Sequence, residues 1–186
     1  MPKLTEEQKF QNARERMLGI AKQYSTGTYI RKFVAPLFQQ MIRAEAGAKP
    51  QGVEICIIDG EIMEIAFRRV GECVCVTCGT IKAWDSGIKG MHTGHFLASR
   101  VNSILFEEMN VAPQCSACNY YRSGEQQLFR KWMLEVRPEH IERLEKLKTQ
   151  SKSFTRDELV DMRVSYKARL DAAIRRMETG KCEKPG

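Results

Sequence analysis

Two periodicities divide the chain. From its start the apolar residues recur at helical spacing. Thr5-Glu6-Glu7-Gln8 reads as a capping box, and Phe10, Ala13, Met17, Ile20, Ala21 and Tyr24 follow on one face. Ser25-Thr26-Gly27-Thr28 breaks that helix. A second helix is predicted through Ile30, Phe33, Val34, Leu37, Phe38, Met41 and Ile42, with Pro36 starting or kinking part of it. Gly47, Pro50 and Gly52 mark a loop and a boundary. Over residues 53–70 the pattern turns to β: apolar residues alternate on either side of Asp59-Gly60, a dipeptide that favours a tight hairpin turn. Beyond Gly124 the chain is helical again, first with Leu128, Phe129, Trp132 and Met133, then from Pro138 with Ile141, Leu144 and Leu147. A second capping box, Thr155-Arg156-Asp157-Glu158, opens a long basic helix through Leu159, Met162, Tyr166, Leu170 and Ile174. Residues 181–186 read as a frayed tail. The fold class is therefore α+β. It divides into an N-terminal helical region at 1–50, a β-hairpin with a metal-binding core at 51–124, and a C-terminal helical extension at 125–186 packed on that core.

Composition narrows the chemistry. A length of 186 residues suffices for one domain with a real core. No apolar run approaches membrane-spanning length and the first residues are polar, so a soluble cytoplasmic protein is expected, with no membrane partner. A formal charge of +7 favours a polyanionic partner, most simply nucleic acid. Seven cysteines without a secretory signal point to metal or redox chemistry rather than disulfides. A redox reading would need one Cys-x-x-Cys opening a helix in a βαβ unit. Two such pairs occur here, Cys75-Val76-Thr77-Cys78 and Cys115-Ser116-Ala117-Cys118, and neither lies in that context. They predict four thiolates around one structural Zn²⁺, closed to substrate, with Gly79 easing the first turn. Cys73 stands near enough to replace Cys75. Cys56 reads as a core residue and Cys182 as a tail thiol.

Two of the three histidines, His92 and His95, fall between the cysteine pairs, whereas His140 lies on a polar helix face. His95 suits a general base that deprotonates water for attack on a phosphodiester, with Mg²⁺ or Mn²⁺ taking the scissile phosphate oxygen. Its bland alternative is a satisfied core histidine. Asn119 follows Cys118 directly. On a helix, consecutive side chains diverge by about 100°, so one can face zinc and the next a second cation.

His95, Asn110 and Asn119 resemble the three signature positions of the HNH (ββα-metal) nucleases, with Asn119 where the last His commonly stands. More closely, Cys75-Val76-Thr77-Cys78-Gly79-Thr80, Gly94-His95-Phe96, residues 106–110, residues 114–119 and Ser123-Gly124 are similar to the NinG/Rap phage recombination family. The likeness runs from about residue 73 to about 176, and residues 1–70 carry none. The resemblance implies a ββα-metal core with His95 on the first strand of a hairpin, Asn110 near the second, and Asn119 on the helix that closes the site. Asn110 would hold the hairpin loop and the His95 backbone. Arg122, and more weakly Arg100, would meet DNA phosphates.

Gly94 stands where many HNH enzymes carry an acidic metal ligand. His92 or Asn119 can take over the catalytic Mg²⁺ or Mn²⁺, with Asp85 and Glu107 as outer acids. The implied activity is a metal-dependent DNA endonuclease selective for branched recombination intermediates such as Holliday junctions. It would act as a homodimer in the cytoplasm of a bacterial host, encoded by a phage or prophage. The rival readings are a non-catalytic, zinc-stabilised DNA-binding recombination mediator and a general HNH nicking enzyme. Trp132 and its neighbours read as core, one of Tyr120 and Tyr121 as packed beneath its helix, and Arg163, Lys167, Arg169, Arg175 and Arg176 as a solvated face.

Overall fold

The computed structural model describes residues 4–49, 53–66, 69–97 and 101–180. Arg100, Cys182 and the tail at 181–186 lie outside the described residues, as does part of the 47–52 loop.

Helix α1 (Glu6–Ala21) opens on the capping box. The Thr5 hydroxyl accepts from the Gln8 amide at 3.2 Å, and the Gln8 side chain accepts from the Thr5 amide at 2.9 Å. The next helix starts earlier than periodicity alone predicts. Ser25 both follows the break and caps α2 (Thr26–Tyr29), its hydroxyl accepting from the Thr28 amide. A π-turn (Ile30–Val34) then leads into α3 (Ala35–Gly47), which carries Pro36 in its first turn. Proline offers no amide hydrogen and its ring crowds the carbonyl four residues back. The wider turn, in which the Ala35 amide reaches Ile30 O, accommodates it without ending the helical run.

Strands β1 (Val53–Ile58) and β2 (Glu61–Ala66) pair antiparallel through Asp59 and Gly60, whose φ values of +49° and +84° make the two-residue turn the sequence predicts. Strands β3 (Glu72–Val74) and β4 (Ile81–Ala83) form a second small hairpin. Strand β5 (Met91–His95) pairs antiparallel with β6 (Val111–Cys115), with His95 opposite Val111 and Met91 opposite Cys115. A short helix α4 (Asn102–Leu105) lies between them. The sheets are stitched by single bonds: the Ile57 amide donates to Val76 O and the Val76 amide to Pro113 O, at 2.9 and 3.0 Å. Among the described residues no helix is long and apolar enough to cross a membrane.

Three helices follow: α5 (Gln126–Val136), α6 (Pro138–Lys148) and α7 (Arg156–Gly180). They divide between two cores. Phe129, Trp132 and Met133 of α5 and Ile141 and Leu144 of α6 pack against Ile57, Phe96 and Ala112. Trp132 is buried and donates from Nε1 to Ile55 O at 2.7 Å, the core role its spacing predicts. Helix α7 instead lays Leu159, Leu170, Ala173 and Met177 against Val34, Phe38 and Met41. The basic face of α7 is not wholly solvated. Arg169 forks between Glu45 of α3 and Glu108, and Arg163 lies over the Phe33 ring and donates to the Tyr29 hydroxyl at 3.1 Å. These arginines turn inward because aromatic faces and carboxylates from distant elements meet them there.

Candidate metal centre and adjoining cleft

The metal centre begins with two tight turns. After β3 the chain folds so that the Gly79 amide donates to Cys75 O at 2.9 Å. Gly79 has φ of +70°, and a Cβ there would come within 2.9 Å of both Ile58 and Ile65. Glycine is thus required by conformation and by the close seat of the turn on the first hairpin. The second pair begins at the end of β6 with Cys115 and continues into a π-turn (Ala117–Tyr121), closed by the Arg122 amide on Ala117 O. An α-helical start would have met the sequence expectation. The wider turn replaces it, and α5 begins only at Gln126.

The four sulfurs of Cys75, Cys78, Cys115 and Cys118 lie within 4.8 Å of one another, with Cys78 and Cys115 at 3.7 Å. A tetrahedron with Zn–S bonds of about 2.3 Å has edges of about 3.8 Å, so these residues fit one zinc ion. Three of the four cysteines are buried and Cys78 is partly exposed. The thiols divide electrostatically. A hydrogen bond from Cys75 holds Cys78 low, at about 4, while donating that bond and being buried push Cys75 up. Burial pushes Cys118 up to about 12. Bringing all four to thiolates together therefore calls for a cation. Cys73 takes no part in the cage. It is buried and donates to Arg43 O at 3.3 Å, so Cys75 is the ligand at this corner. Cys56 is a core thiol near Met63 O.

Buried polar groups lie behind the cage. Gln114 donates from Nε2 to the Thr77 hydroxyl at 3.1 Å and to Gly124 O at 2.8 Å, and the Thr77 hydroxyl lies 3.4 Å from the Cys75 sulfur. Gln114 thus ties the first knuckle to the end of the second. It also occupies the space beside Gly94: a Cβ at that position would sit 2.0 Å from Gln114 Oε1. An acidic residue before His95 has no room.

Cys118 turns into the cage and the next residue, Asn119, turns out of it. His95 ends β5 on the neighbouring side. His95 and Asn119 together line two clefts, one of about 1080 Å³ toward α2 and one of about 540 Å³ toward α3. Burial lowers the His95 pKa, which favours the neutral imidazole. His92 joins them in the smaller cleft. Its Nε2 donates to Ile88 O at 2.8 Å, which leaves Nδ1 to accept from Asn119 Nδ2 at 3.2 Å. In this arrangement both ring nitrogens are engaged, and His92 orients the Asn119 carboxamide.

Asn110 is fully buried immediately before β6. Its side chain accepts from the Leu97 amide at 2.9 Å and donates to Leu97 O at 3.3 Å, and its own carbonyl accepts from the Phe96 amide at 2.8 Å. It pins the two residues after His95 rather than the His95 backbone itself. Arg122 is exposed beside Glu125. Asp85 lines the smaller cleft, whereas Glu107 pairs with Arg143 at 2.9 Å. Tyr120 and Tyr121 are 73% and 77% exposed, their rings edge-on to each other. Neither packs beneath the turn, whose buried side is taken by Cys118.

Sequence reasoning missed two participants. Gln114 gains its meaning only from the register, which pairs it with His92 and lets its side chain reach diagonally across to Gly94. Arg43 lies on α3, far from the cysteines in sequence, yet it lines the smaller cleft.

A four-sulfur metal centre, joined by an antiparallel strand pair to a cleft holding His95 and Asn119, defines an α+β metal-binding protein. Over residues 62–177 the chain matches the family described as Bacteriophage Lambda NinG protein, and it belongs to that family. The match starts inside β2, somewhat before the first cysteine pair, and ends near the close of α7. No curated protein and no solved structure matches the chain.

Proposed function

We propose that this chain is a metal-dependent DNA endonuclease of the HNH (ββα-metal) kind, acting on branched recombination intermediates such as Holliday junctions. The observation that carries the reading is the shared cleft of His95 and Asn119, one fixed by β5 and the other by the turn that holds the zinc ligand Cys118. On this reading β5, β6 and the turn after Cys115 are the two strands and the helical element of the ββα-metal core. Residues 51–124 carry the chemistry, and the helical regions at 1–50 and 125–186 flank it.

The chain's own groups divide the work. His95, kept neutral by burial, accepts the proton of the attacking water. Asn119, oriented by His92, offers its carboxamide oxygen to a hard cation. That Mg²⁺ or Mn²⁺, when bound, neutralises charge on the scissile phosphate and on the leaving oxygen. Asn110 fixes the backbone just beyond His95 so that the imidazole keeps its place. Arg122 and Arg100 are the candidate contacts to flanking phosphates. Resolution of a four-way junction needs two symmetric incisions, so the active form is a homodimer, working in the cytoplasm of a bacterial host.

A second reading has its own support. Of the carboxylates among the described residues, Asp85 alone lines a cleft together with His95 and Asn119, and His92 has both nitrogens engaged. Protein ligands for a hard cation are therefore few. That sparseness favours a zinc-stabilised DNA-binding recombination protein without catalysis, which would bind branched DNA and leave it intact. A fixed four-way junction and its linear duplex arms, incubated in Mg²⁺ with wild type and H95A, separate the readings. Paired nicks in the junction alone, lost in H95A, support the endonuclease. Equal cutting of the duplex arms would make it a general nicking enzyme, and intact junction with wild-type binding would make it the non-catalytic protein.

A further inference from the structure

Residues 26–47 lie outside the family match, which begins at 62, yet this helical run walls both clefts. Arg31 lines the larger cleft and Arg43 the smaller, while His95 and Asn119 line both. The two arginines stand twelve residues apart on one helical run, less than about 18 Å along its axis because the π-turn that holds Arg31 rises less per residue than an α-helix.

Arg43 has the chemistry of a waiting anion site. It is half-buried, its Nε donating to Trp84 O at 3.2 Å and its Nη1 to the Thr93 hydroxyl at 3.3 Å. Burial lowers its pKa, and among the described residues no carboxylate comes within ion-pair distance of it. Arg169, by contrast, meets two carboxylates. Arg137 is likewise drawn from water with only carbonyl acceptors, but it lies over the Trp132 ring and lines neither cleft, whereas Arg43 lines the smaller one. A guanidinium has five N–H donors, and Arg43 uses two of them on neutral acceptors. A charge drawn out of water without a counter-ion is costly, and an anion in the cleft would relieve it.

We propose that the two clefts form one channel for a nucleic-acid strand, in which Arg31 and Arg43 hold backbone phosphates on opposite sides of the phosphodiester at His95 and Asn119. This rests on the nucleic-acid reading above and adds a substrate path walled by the N-terminal helices. Arg31 is exposed at the mouth of one cleft, and Arg43 lies in the wall of the other. Their contacts are to backbone, so they set affinity and register rather than sequence preference.

The test is equilibrium binding of a fluorescent four-way junction, without added divalent cation, across a series of NaCl concentrations. Each phosphate contact removed should lower the slope of log K against log salt by about 0.7 to 0.9. Arg31→Gln and Arg43→Gln are each expected to show that drop, and Arg31→Lys to keep the wild-type slope. Should Arg43→Gln lose its zinc, Gln40→Glu adds an opposing charge on the exposed rim of the same cleft without touching Arg43's hydrogen bonds, and it is expected to weaken binding. A wild-type slope in Arg31→Gln or in folded Arg43→Gln, or unchanged affinity in Gln40→Glu, overturns the channel. The slopes are independent of cleavage: a protein that binds but does not cut would sink the endonuclease and leave the channel to be judged on binding. Failure of the wild type to bind DNA would sink both.

Discussion

Gln114 fills the space that a side chain at Gly94 would need, its Oε1 standing 2.0 Å from where a Cβ would be placed. The glycine before His95 and the glutamine that reaches it diagonally from β6, where Gln114 is paired with His92, are therefore one adaptation. The glutamine ties the first cysteine turn to Gly124, and any side chain at Gly94 would have to displace it. Gly94→Ala should destabilise the fold by about 1–3 kcal/mol through overpacking. Gln114→Ala should cost about 1–3 kcal/mol by freeing the Thr77 and Gly124 partners. In the double variant the clash is gone, so the two effects should fall short of additivity. A double-mutant cycle by urea unfolding checks this.

Zinc binding should release protons. Cys78 is already a thiolate at neutral pH, whereas Cys75 and Cys118 are held as thiols, so loading the metal-free protein at pH 7 should release at least the two protons of Cys75 and Cys118. Affinity should accordingly fall as the pH is lowered, since protons and metal compete for the same sulfurs. Titration with zinc in a weakly buffered indicator solution counts the protons directly. Release of none would mean that the cage does not hold these thiols as the structure shows them.

On the proposed endonuclease reading, the pH dependence of cleavage should carry the mark of His95. Burial depresses its pKa, so the basic form persists to lower pH than for an ordinary imidazole. The acidic limb of kcat/KM should therefore fall below the ordinary value of 6.5 and vanish with the activity in H95A. A limb above that value would assign the base to another group.

The exposed tyrosines after Asn119 offer a separate handle. Stacking of an unpaired base on an aromatic ring contributes about 1–3 kcal/mol. Tyr120→Ala with Tyr121→Ala should therefore weaken binding to single-stranded or junction DNA by that order, with little change for duplex and none in melting temperature. Equal losses for junction and duplex would deny them a role in reading unpaired bases.

Local signals carried much of this into the sequence. Asp59-Gly60 states its own turn, Thr5 and Thr155 state their helix starts, and two Cys-x-x-Cys pairs state a cage. The cysteine spacing places Asn119 directly after a zinc ligand, but its companionship with His95 is suggested only by the resemblance to the HNH nucleases. Other features depend on contacts between distant elements. Arg43 reaches the cleft only because α3 packs against α7 and β5. Arg169 turns inward only because Glu45 and Glu108 converge on it. The π-turns at residues 30–34 and 117–121 reflect a proline and a metal corner that distort otherwise ordinary helical patterns. Periodicity does not register either one.

The central claim is that a closed cage of Cys75, Cys78, Cys115 and Cys118 holds Asn119 in the cleft of His95. X-ray absorption at the zinc edge, on the purified full chain with its metal content measured in parallel, addresses it most directly. One zinc per chain in an all-sulfur shell at about 2.3 Å is predicted, lost in Cys115→Ser and retained in Cys73→Ser. Nitrogen or oxygen in the first shell, or a zinc that survives Cys115→Ser but not Cys73→Ser, would contradict the account.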